Sequence, residues 1–271
     1  KDILSNSKYI KKFVAEAAVN EADIILLCEG ALSGYAESEF ESFEGYDWHN
    51  LRAQTYEIMA LAKKHNIWVV LGSAHYVSED VKPTNCQYII SNQGEIVNRY
   101  DKSMLTGSDL RAYTPGGRFV TMDIKGFKCG FLICYDICYP EMYNAYRHKG
   151  VKIMFHSFYN ARTKGKTILD EIKPAWARVR AADNRMWVIC SNSSGEHSSW
   201  ASGIARPDGS FVCLEKGQPG ILYRTFPDSE RTHEFPSWTH NKKMMALPKG
   251  EVYHLGITSQ HPRVTNGKAL P

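Results

Sequence analysis

The chain has 271 residues, which fits one large α/β domain or two modest ones. Apolar residues make up 43% of it and charged residues 23%, so it can bury a large core. The formal net charge is only +4, and basic residues alternate with acidic ones, which gives no electrostatic basis for binding nucleic acid or an anionic membrane. No apolar run approaches the roughly 18 to 20 residues that span a bilayer, and residues 1–6 are polar, unlike a signal peptide.

The cysteine content indicates a reducing environment. An odd number of cysteines, most of them inside apolar runs, suits buried thiols better than a disulfide framework. We therefore expect a cytoplasmic protein. The seven cysteines are Cys28, Cys86, Cys129, Cys134, Cys138, Cys190 and Cys213.

The first half of the chain alternates between helical and strand patterns. Helices show apolar residues at helical spacing, and buried strands show as short continuous apolar runs. The predicted elements are a helix over 8–20, a strand over 22–28, a helix over 50–65, a strand over 67–73 and a hairpin of 87–91 with 96–100.

The second half continues the alternation without a linker or an internal repeat. The predicted elements are a strand over 128–134, a helix over 141–149, a strand over 151–156, a helix over 174–184, a strand over 187–191 and a hairpin of 203–206 with 210–214. This order predicts one α/β domain over 1–271 with mixed sheets. A His-, Pro- and Lys-rich tail from about residue 229 is interpreted as a C-terminal extension over the surface.

Three reactive side chains stand at the ends of predicted strands, where ligands gather in layered α/β folds. They are Glu29, Lys102 and Cys134. A carboxylate can take the thiol proton as the sulfur attacks a carbonyl carbon, and an ammonium group can stabilise the resulting oxyanion. Each residue alone also fits a plain structural role, as a core thiol, a loop carboxylate or a surface lysine. Their spacing alone does not bring them together.

Three segments carry a family resemblance. Residues 22–29 followed by Ser33-Gly34-Tyr35, residues 98–102, and residues 134–141 (Cys-Tyr-Asp-Ile-Cys-Tyr-Pro-Glu) occur in the order and spacing of the nitrilase, or carbon–nitrogen hydrolase, superfamily. The resemblance spans roughly residues 6–225. It implies a four-layer αββα sandwich and, as in many members, a homodimer or a higher homo-oligomer.

The resemblance also implies a mechanism that needs no metal or cofactor. Glu29 is the expected general base, Lys102 the oxyanion stabiliser and Cys134 the nucleophile that forms a thioester. The backbone N–H of Tyr135 is the expected second oxyanion donor. The substrates would be a small amide or N-carbamoyl compound and water, with release of ammonia or an amine.

The chain departs from the family pattern at several positions. A strand usually precedes the first helix, Cys138 stands where Arg or Asn is common, Asp101 precedes Lys102 in place of Arg, and Asp183 replaces a Glu. Many amidases of this family carry a second Glu, which we expected shortly after Gly72. There, His75 or Glu79 could take its role, or neither.

The substrate pocket is predicted with less support. Tyr35, Tyr135, Phe158 and Trp200 are candidates for its walls, and His75 for orienting Lys102 or the substrate. Among basic residues of the flanking loops, Arg111, Arg162 and Lys164 could bind a substrate carboxylate. Cys134 and Cys138 lack the further ligands of a zinc site, so no metal is expected.

The leading interpretation is an amidase. The same three residues could hydrolyse a nitrile through a thioimidate, or transfer the acyl group to an amine. A catalytically silent binding protein on the same fold is the alternative from another class. The substrate itself cannot be predicted from these residues.

Overall fold

The computed structural model describes residues 2–161 and 165–226, and these belong to one compact unit. The predicted C-terminal extension, and the candidates Arg162 and Lys164, lie outside the described residues. Whether residues 1–271 form a single domain therefore stays a prediction.

Helices and strands alternate along the described residues much as the sequence predicts. In chain order they are α1 (Ile3–Val19), β1 (Ile24–Leu26), α2 (Trp48–His65), β2 (Trp68–His75), β3 (Thr84–Ile90), β4 (Ile96–Asp101), α3 (Asp109–Ala112), β5 (Thr121–Ile124), β6 (Phe127–Ile133), a 3-10 helix (Cys134–Cys138), α4 (Pro140–His148), β7 (Ile153–Ser157), α5 (Leu169–Asn184), β8 (Trp187–Ser191), β9 (Gly203–Ala205) and β10 (Phe211–Cys213).

The strands form two mixed sheets, as predicted. The first sheet has the order β1-β2-β3-β4, with β1 and β2 parallel and the other pairs antiparallel. The second has the order β10-β9-β8-β7-β6-β5, with β6, β7 and β8 parallel. The run of parallel strands explains why their sequences are almost continuously apolar, since both faces are covered.

The two sheets are packed between pairs of helices. Alternation along β2 shows this, because Val69 and Leu71 pack with α1 and α2, whereas Val70 faces the other way, into the core of the second sheet. On the far side, Tyr143 of α4 and Ala177 of α5 are fully buried against that second sheet. The predicted four-layer αββα sandwich is confirmed.

Helix α2 illustrates how local sequence fixes the ends of these elements. The Asp47 side chain accepts a hydrogen bond from the Asn50 backbone N–H at 2.9 Å, which caps the first turn. Asn66 ends the helix in the left-handed conformation, with φ of 54°. The chain then enters β2 directly.

A cavity of about 940 Å³ runs beside β1, on the edge that pairs with none of the described strands. Its lining includes Ile24, Phe155 and Leu222, and it reaches Glu29, but neither Lys102 nor Cys134 lines it. The reactive residues, not this volume, therefore locate the candidate site.

Candidate active site

Glu29 and Lys102 form a buried ion pair. The Lys102 Nζ lies 2.8 Å from Glu29 Oε1, and both side chains are fully buried. Glu29 follows β1 and Lys102 follows β4, which are the two edges of the first sheet. The structure thus joins two residues that are 73 positions apart in sequence.

Lys102 has a second carboxylate partner. Its Nζ lies 2.9 Å from Asp109 Oδ2 and donates to the Tyr35 hydroxyl at 3.3 Å, while that hydroxyl donates to Asp109 Oδ1 at 2.7 Å. Burial alone would lower the pKa of Lys102, but Glu29 and then Tyr35 raise it well above its usual range. Lys102 is therefore an ammonium ion at neutral pH.

Three donors hold the Glu29 carboxylate. Asn85 Nδ2 donates to Oε1 at 2.8 Å, beside Lys102, and the Tyr159 backbone N–H donates to Oε2 at 2.8 Å. The Glu29 N–H in turn donates to the Phe158 carbonyl at 3.3 Å, which ties its backbone to the end of β7 in the second sheet. The carboxylate is thereby fixed between the two sheets.

Cys134 sits on a strained turn at the end of β6. Its φ is 43°, in the left-handed region that non-glycine residues rarely adopt, and it starts the 3-10 helix. Cys134 is buried, with 8% of its surface exposed. Such a turn presents a side chain at the tip of a strand.

Asp136 anchors this turn. Its buried carboxylate accepts hydrogen bonds from the Ile133 N–H at 2.8 Å, the Met104 N–H at 2.9 Å and the Tyr100 hydroxyl at 2.8 Å. The segment that carries Cys134 is therefore tied both to its own strand and to the loop after Lys102.

The electrostatic surroundings keep Cys134 protonated at rest. Burial, and after it the Glu29 carboxylate, raise the pKa of the thiol to about 11 against the opposing effects of Lys102 and Lys173. Little thiolate is present at neutral pH, so attack on a substrate requires a base nearby. Glu29 and Lys102 thus act on the Cys134 thiol in opposite directions.

The residues predicted to form the pocket walls lie in three different surroundings in the structure. Tyr35 stacks on Tyr159 with ring centroids 4.8 Å apart and contacts Lys102, so it belongs to the charged cluster. Phe158 and Trp200 pack edge to face at 4.8 Å and are both buried. Tyr135 follows Cys134 and is partly exposed.

His75 is not brought to Lys102. Its Nδ1 lies 2.7 Å from the Tyr88 hydroxyl on the adjacent strand, and burial lowers its pKa. Glu79 is exposed in the following loop. Among the described residues, the additional acid that contacts Lys102 is Asp109, which sequence reasoning missed.

Asp109 and Asn85 carried no usable sequence signal. Asp109 belongs to a helix of four residues, too short to show periodicity, within a stretch that we interpreted as a loop. Asn85 lies in β3, which begins at Thr84, three residues before the predicted start at 87. A polar residue near a strand end gives no hint of what it contacts.

Within residues 2–161 and 165–226, no group of three or more His, Cys, Asp or Glu side chains is placed to hold a metal ion. None of the helices described there is both long enough and apolar enough to cross a membrane.

Comparison with known proteins identifies the family. The profile of the family described as carbon-nitrogen hydrolase matches residues 2–232. The chain belongs to this family, and the predicted resemblance and the predicted carbon–nitrogen hydrolase activity are confirmed.

Individual relatives agree. Nitrilase homolog 2 of Dictyostelium discoideum is 28% identical over 228 residues, covering 78% of this chain and 67% of the relative. The 2-oxoglutaramate amidase of Bacillus subtilis is 29% identical over 195 residues, covering 70% and 72%. A solved amidase from Nesterenkonia sp., at 20% identity, superposes with a TM-score of 0.71 over 81% of this chain and 82% of its own, which shows a shared fold.

Proposed function

We propose that the enzyme hydrolyses small amides, with Cys134 as nucleophile, Glu29 as general base and Lys102 as oxyanion stabiliser. The observation that carries the proposal is the buried Glu29–Lys102 pair at 2.8 Å, whose charges both act on the Cys134 thiol. Amidases among the relatives, including the 2-oxoglutaramate amidase, support an amide over a nitrile. One structural relative carries an acetamide moiety covalently at its active-site cysteine.

The first half of the reaction forms a thioester. Glu29 takes the Cys134 proton as Sγ attacks the carbonyl carbon, which removes the cost of generating a free thiolate whose pKa is about 11. The Lys102 ammonium and the Tyr135 backbone N–H stabilise the tetrahedral oxyanion. The carbon–nitrogen bond then breaks, and Glu29 returns the proton to the leaving ammonia or amine.

The second half regenerates the enzyme. Glu29, again a carboxylate, takes a proton from a water molecule as its oxygen attacks the thioester carbon. The intermediate expels the Cys134 sulfur, which is reprotonated, and the carboxylic acid product leaves. The three donors on Glu29 hold it in place through both halves.

Two further features belong to the proposal. All seven cysteines are free thiols, which supports a reducing, cytoplasmic location. The family resemblance supports a homo-oligomer, because many members assemble as dimers or larger oligomers. Light scattering that finds only a 30.7 kDa species would contradict the homo-oligomer.

The proposal is tested with a panel of small linear amides and the corresponding nitriles, measuring released ammonia. The wild type should act on amides, and Cys134→Ala should lower the rate by about 10³-fold or more, because the nucleophile is lost. Cys213→Ala, which removes an exposed thiol, should retain activity.

Two outcomes would overturn this assignment. Turnover of nitriles alone would exclude the amidase. Amide turnover that survives in a folded Cys134→Ala variant would exclude Cys134 as the nucleophile, since no thioester could then form there.

A further inference from the structure

Three consecutive residues of the second sheet hold the segment that carries Glu29. At the end of β7, the Ser157 hydroxyl donates to the Leu27 carbonyl at 2.7 Å. Phe158 accepts the Glu29 backbone N–H at 3.3 Å, and the Tyr159 N–H donates to the Glu29 carboxylate at 2.8 Å. Phe158 and Tyr159 use backbone atoms, whereas Ser157 uses its side chain. The Ser157 contact is therefore the one that a substitution can remove.

The same strand end is in register with the strand that carries the nucleophile. Strands β6 and β7 are parallel, and Ile133 pairs with Ser157. Cys134 follows Ile133 directly, at the start of the 3-10 helix. Ser157 therefore connects the end of β6, in the second sheet, with the segment of the first sheet that leads to Glu29.

Gln87 in β3 fixes the direction of the Ser157 hydroxyl. Its Nε2 donates to Ser157 Oγ at 2.6 Å. A hydroxyl has one hydrogen, and the Leu27 carbonyl accepts it here, so Oγ is the acceptor for Gln87. Both side chains are fully buried between the two sheets, where a satisfied network of hydrogen bonds favours one arrangement. This relay, from Gln87 through Ser157 to Leu27, joins the two sheets.

The path of the chain after β1 explains why the relay can form. Gly72 of β2 pairs with Gln87, and a Cβ at Gly72 would collide with the Cys28 carbonyl. Directly paired residues of antiparallel strands point to the same face of a sheet. Residues 27–29 therefore cross β2 on the face from which Gln87 projects, and this crossing brings the Leu27 carbonyl to the relay.

We propose that Ser157, directed by Gln87, is a positioning residue that sets the Glu29 carboxylate against the Cys134 thiol. This inference rests on the proposed function, in which Glu29 takes the thiol proton. A misplacement of about 1 Å between reacting groups can cost about a hundredfold in rate. The Ser157 hydrogen bond acts two residues before Glu29, on a strand paired with the residue before Cys134, so it controls their separation.

Ser157→Ala removes the hydroxyl from the relay. We expect kcat for a small amide to fall by about tenfold to a hundredfold while KM changes little, because the base is displaced and substrate binding is not. Ser157→Thr, which keeps a hydroxyl, should recover part of kcat. Ser191→Ala is the matched control. It removes a hydroxyl outside the relay, at the position paired with Ser157 on β8, and should leave kcat unchanged.

A second variant tests whether Gln87 acts through Ser157, and it leaves the Ser157 hydroxyl in place. Gln87→Leu should lower kcat in the wild type, because the hydroxyl is no longer directed. In the Ser157→Ala background it should lower kcat no further. Equal losses in the two backgrounds would overturn the relay. A purely structural role would lower the free energy of unfolding and leave the kcat of the folded enzyme unchanged, which would also overturn it.

A crystal structure of Ser157→Ala gives a readout that does not depend on turnover. The distance between the Glu29 carboxylate and Cys134 Sγ should differ from that in the wild type by about 0.5 Å or more. An unchanged distance, or wild-type kcat in the folded variant, would overturn the inference while leaving the amidase intact. Absence of wild-type turnover with every amide would instead refute the proposed function, and the two crystal structures would still decide whether Ser157 positions Glu29.

Discussion

At Lys102, one ammonium ion is shared between two carboxylates. Glu29 lies 2.8 Å from its Nζ and Asp109 lies 2.9 Å away, all fully buried. We infer that Asp109, together with Glu29, fixes the position of the ammonium group.

Asp109→Asn tests this role. The substitution keeps the shape but removes the charge, so kcat should fall by about tenfold to a hundredfold while KM changes little, because the Lys102 ammonium group is held less firmly where the oxyanion forms. Steady-state kinetics on an amide substrate measures the effect.

Two further variants separate positioning from general damage. Asp109→Glu should recover part of kcat, because the charge returns. Glu37→Gln, which removes a carboxylate paired with the exposed Arg111, should have little effect on kcat. If Asp109→Asn kept full kcat, Asp109 would have no positioning role.

At the scale of elements, the sequence predicts strands better than the connections between them. Strand β8 matches its predicted bounds, 187–191, because an inner strand of a covered sheet is an almost continuous apolar run. Helix α3 and strand β5, with four residues each, were missed because so few residues give no periodicity. The role of Glu29 was predicted through a family motif. The contact of Asp109 with Lys102 could not be predicted, because it depends on how a segment without apolar periodicity folds back onto Lys102.

Strand β2 also fixes the position of Glu29, through a close backbone approach at Gly72. A Cβ at this position would lie 1.9 Å from the Cys28 carbonyl oxygen and 3.1 Å from the Glu29 Cα. Both obstacles are backbone atoms, so they cannot move aside as a flexible side chain would. The absence of a side chain at Gly72 thus allows the segment that carries Glu29 to pack against β2.

Gly72→Ala should therefore reduce both stability and activity. We expect the free energy of unfolding to fall by about 1–3 kcal/mol, as for other overpacked positions, and kcat to fall because Glu29 is displaced. Denaturant unfolding and amide kinetics measure the two effects. Gly107→Ala is the matched control, since its Cβ would meet nothing within 4 Å, and it should change neither. A Gly72→Ala enzyme with wild-type kcat would show that the segment can shift without cost.

At the scale of the whole molecule, the sandwich buries ionisable groups between its layers. Burial shifts the pKa of such a group, and the shift makes the stability of the fold depend on pH. Burial raises the pKa of Asp136 to about 6, although the Ile133 and Met104 N–H groups and the Tyr100 hydroxyl favour its charged form. An unfolded Asp has a pKa of about 3.9. Between about pH 4 and pH 6, the folded chain therefore binds more protons at this site than the unfolded chain does.

The contribution of Asp136 to stability should consequently be complete below about pH 4 and should be lost as the pH rises through 6. Asp136→Asn does not titrate, so subtracting its free energy of unfolding from that of the wild type, at each pH, isolates this one group from the others. We expect the difference to fall by about 1–3 kcal/mol between pH 4 and pH 7, on top of a constant offset from the hydrogen bond that an amide cannot accept.

Asp208→Asn should show the opposite sign, because hydrogen bonds from Ser210 lower the pKa of Asp208 despite its partial burial. Parallel stability curves for the wild type and Asp136→Asn would mean that Asp136 has the same pKa in the folded and unfolded chains, so that its three hydrogen bonds fully offset its burial.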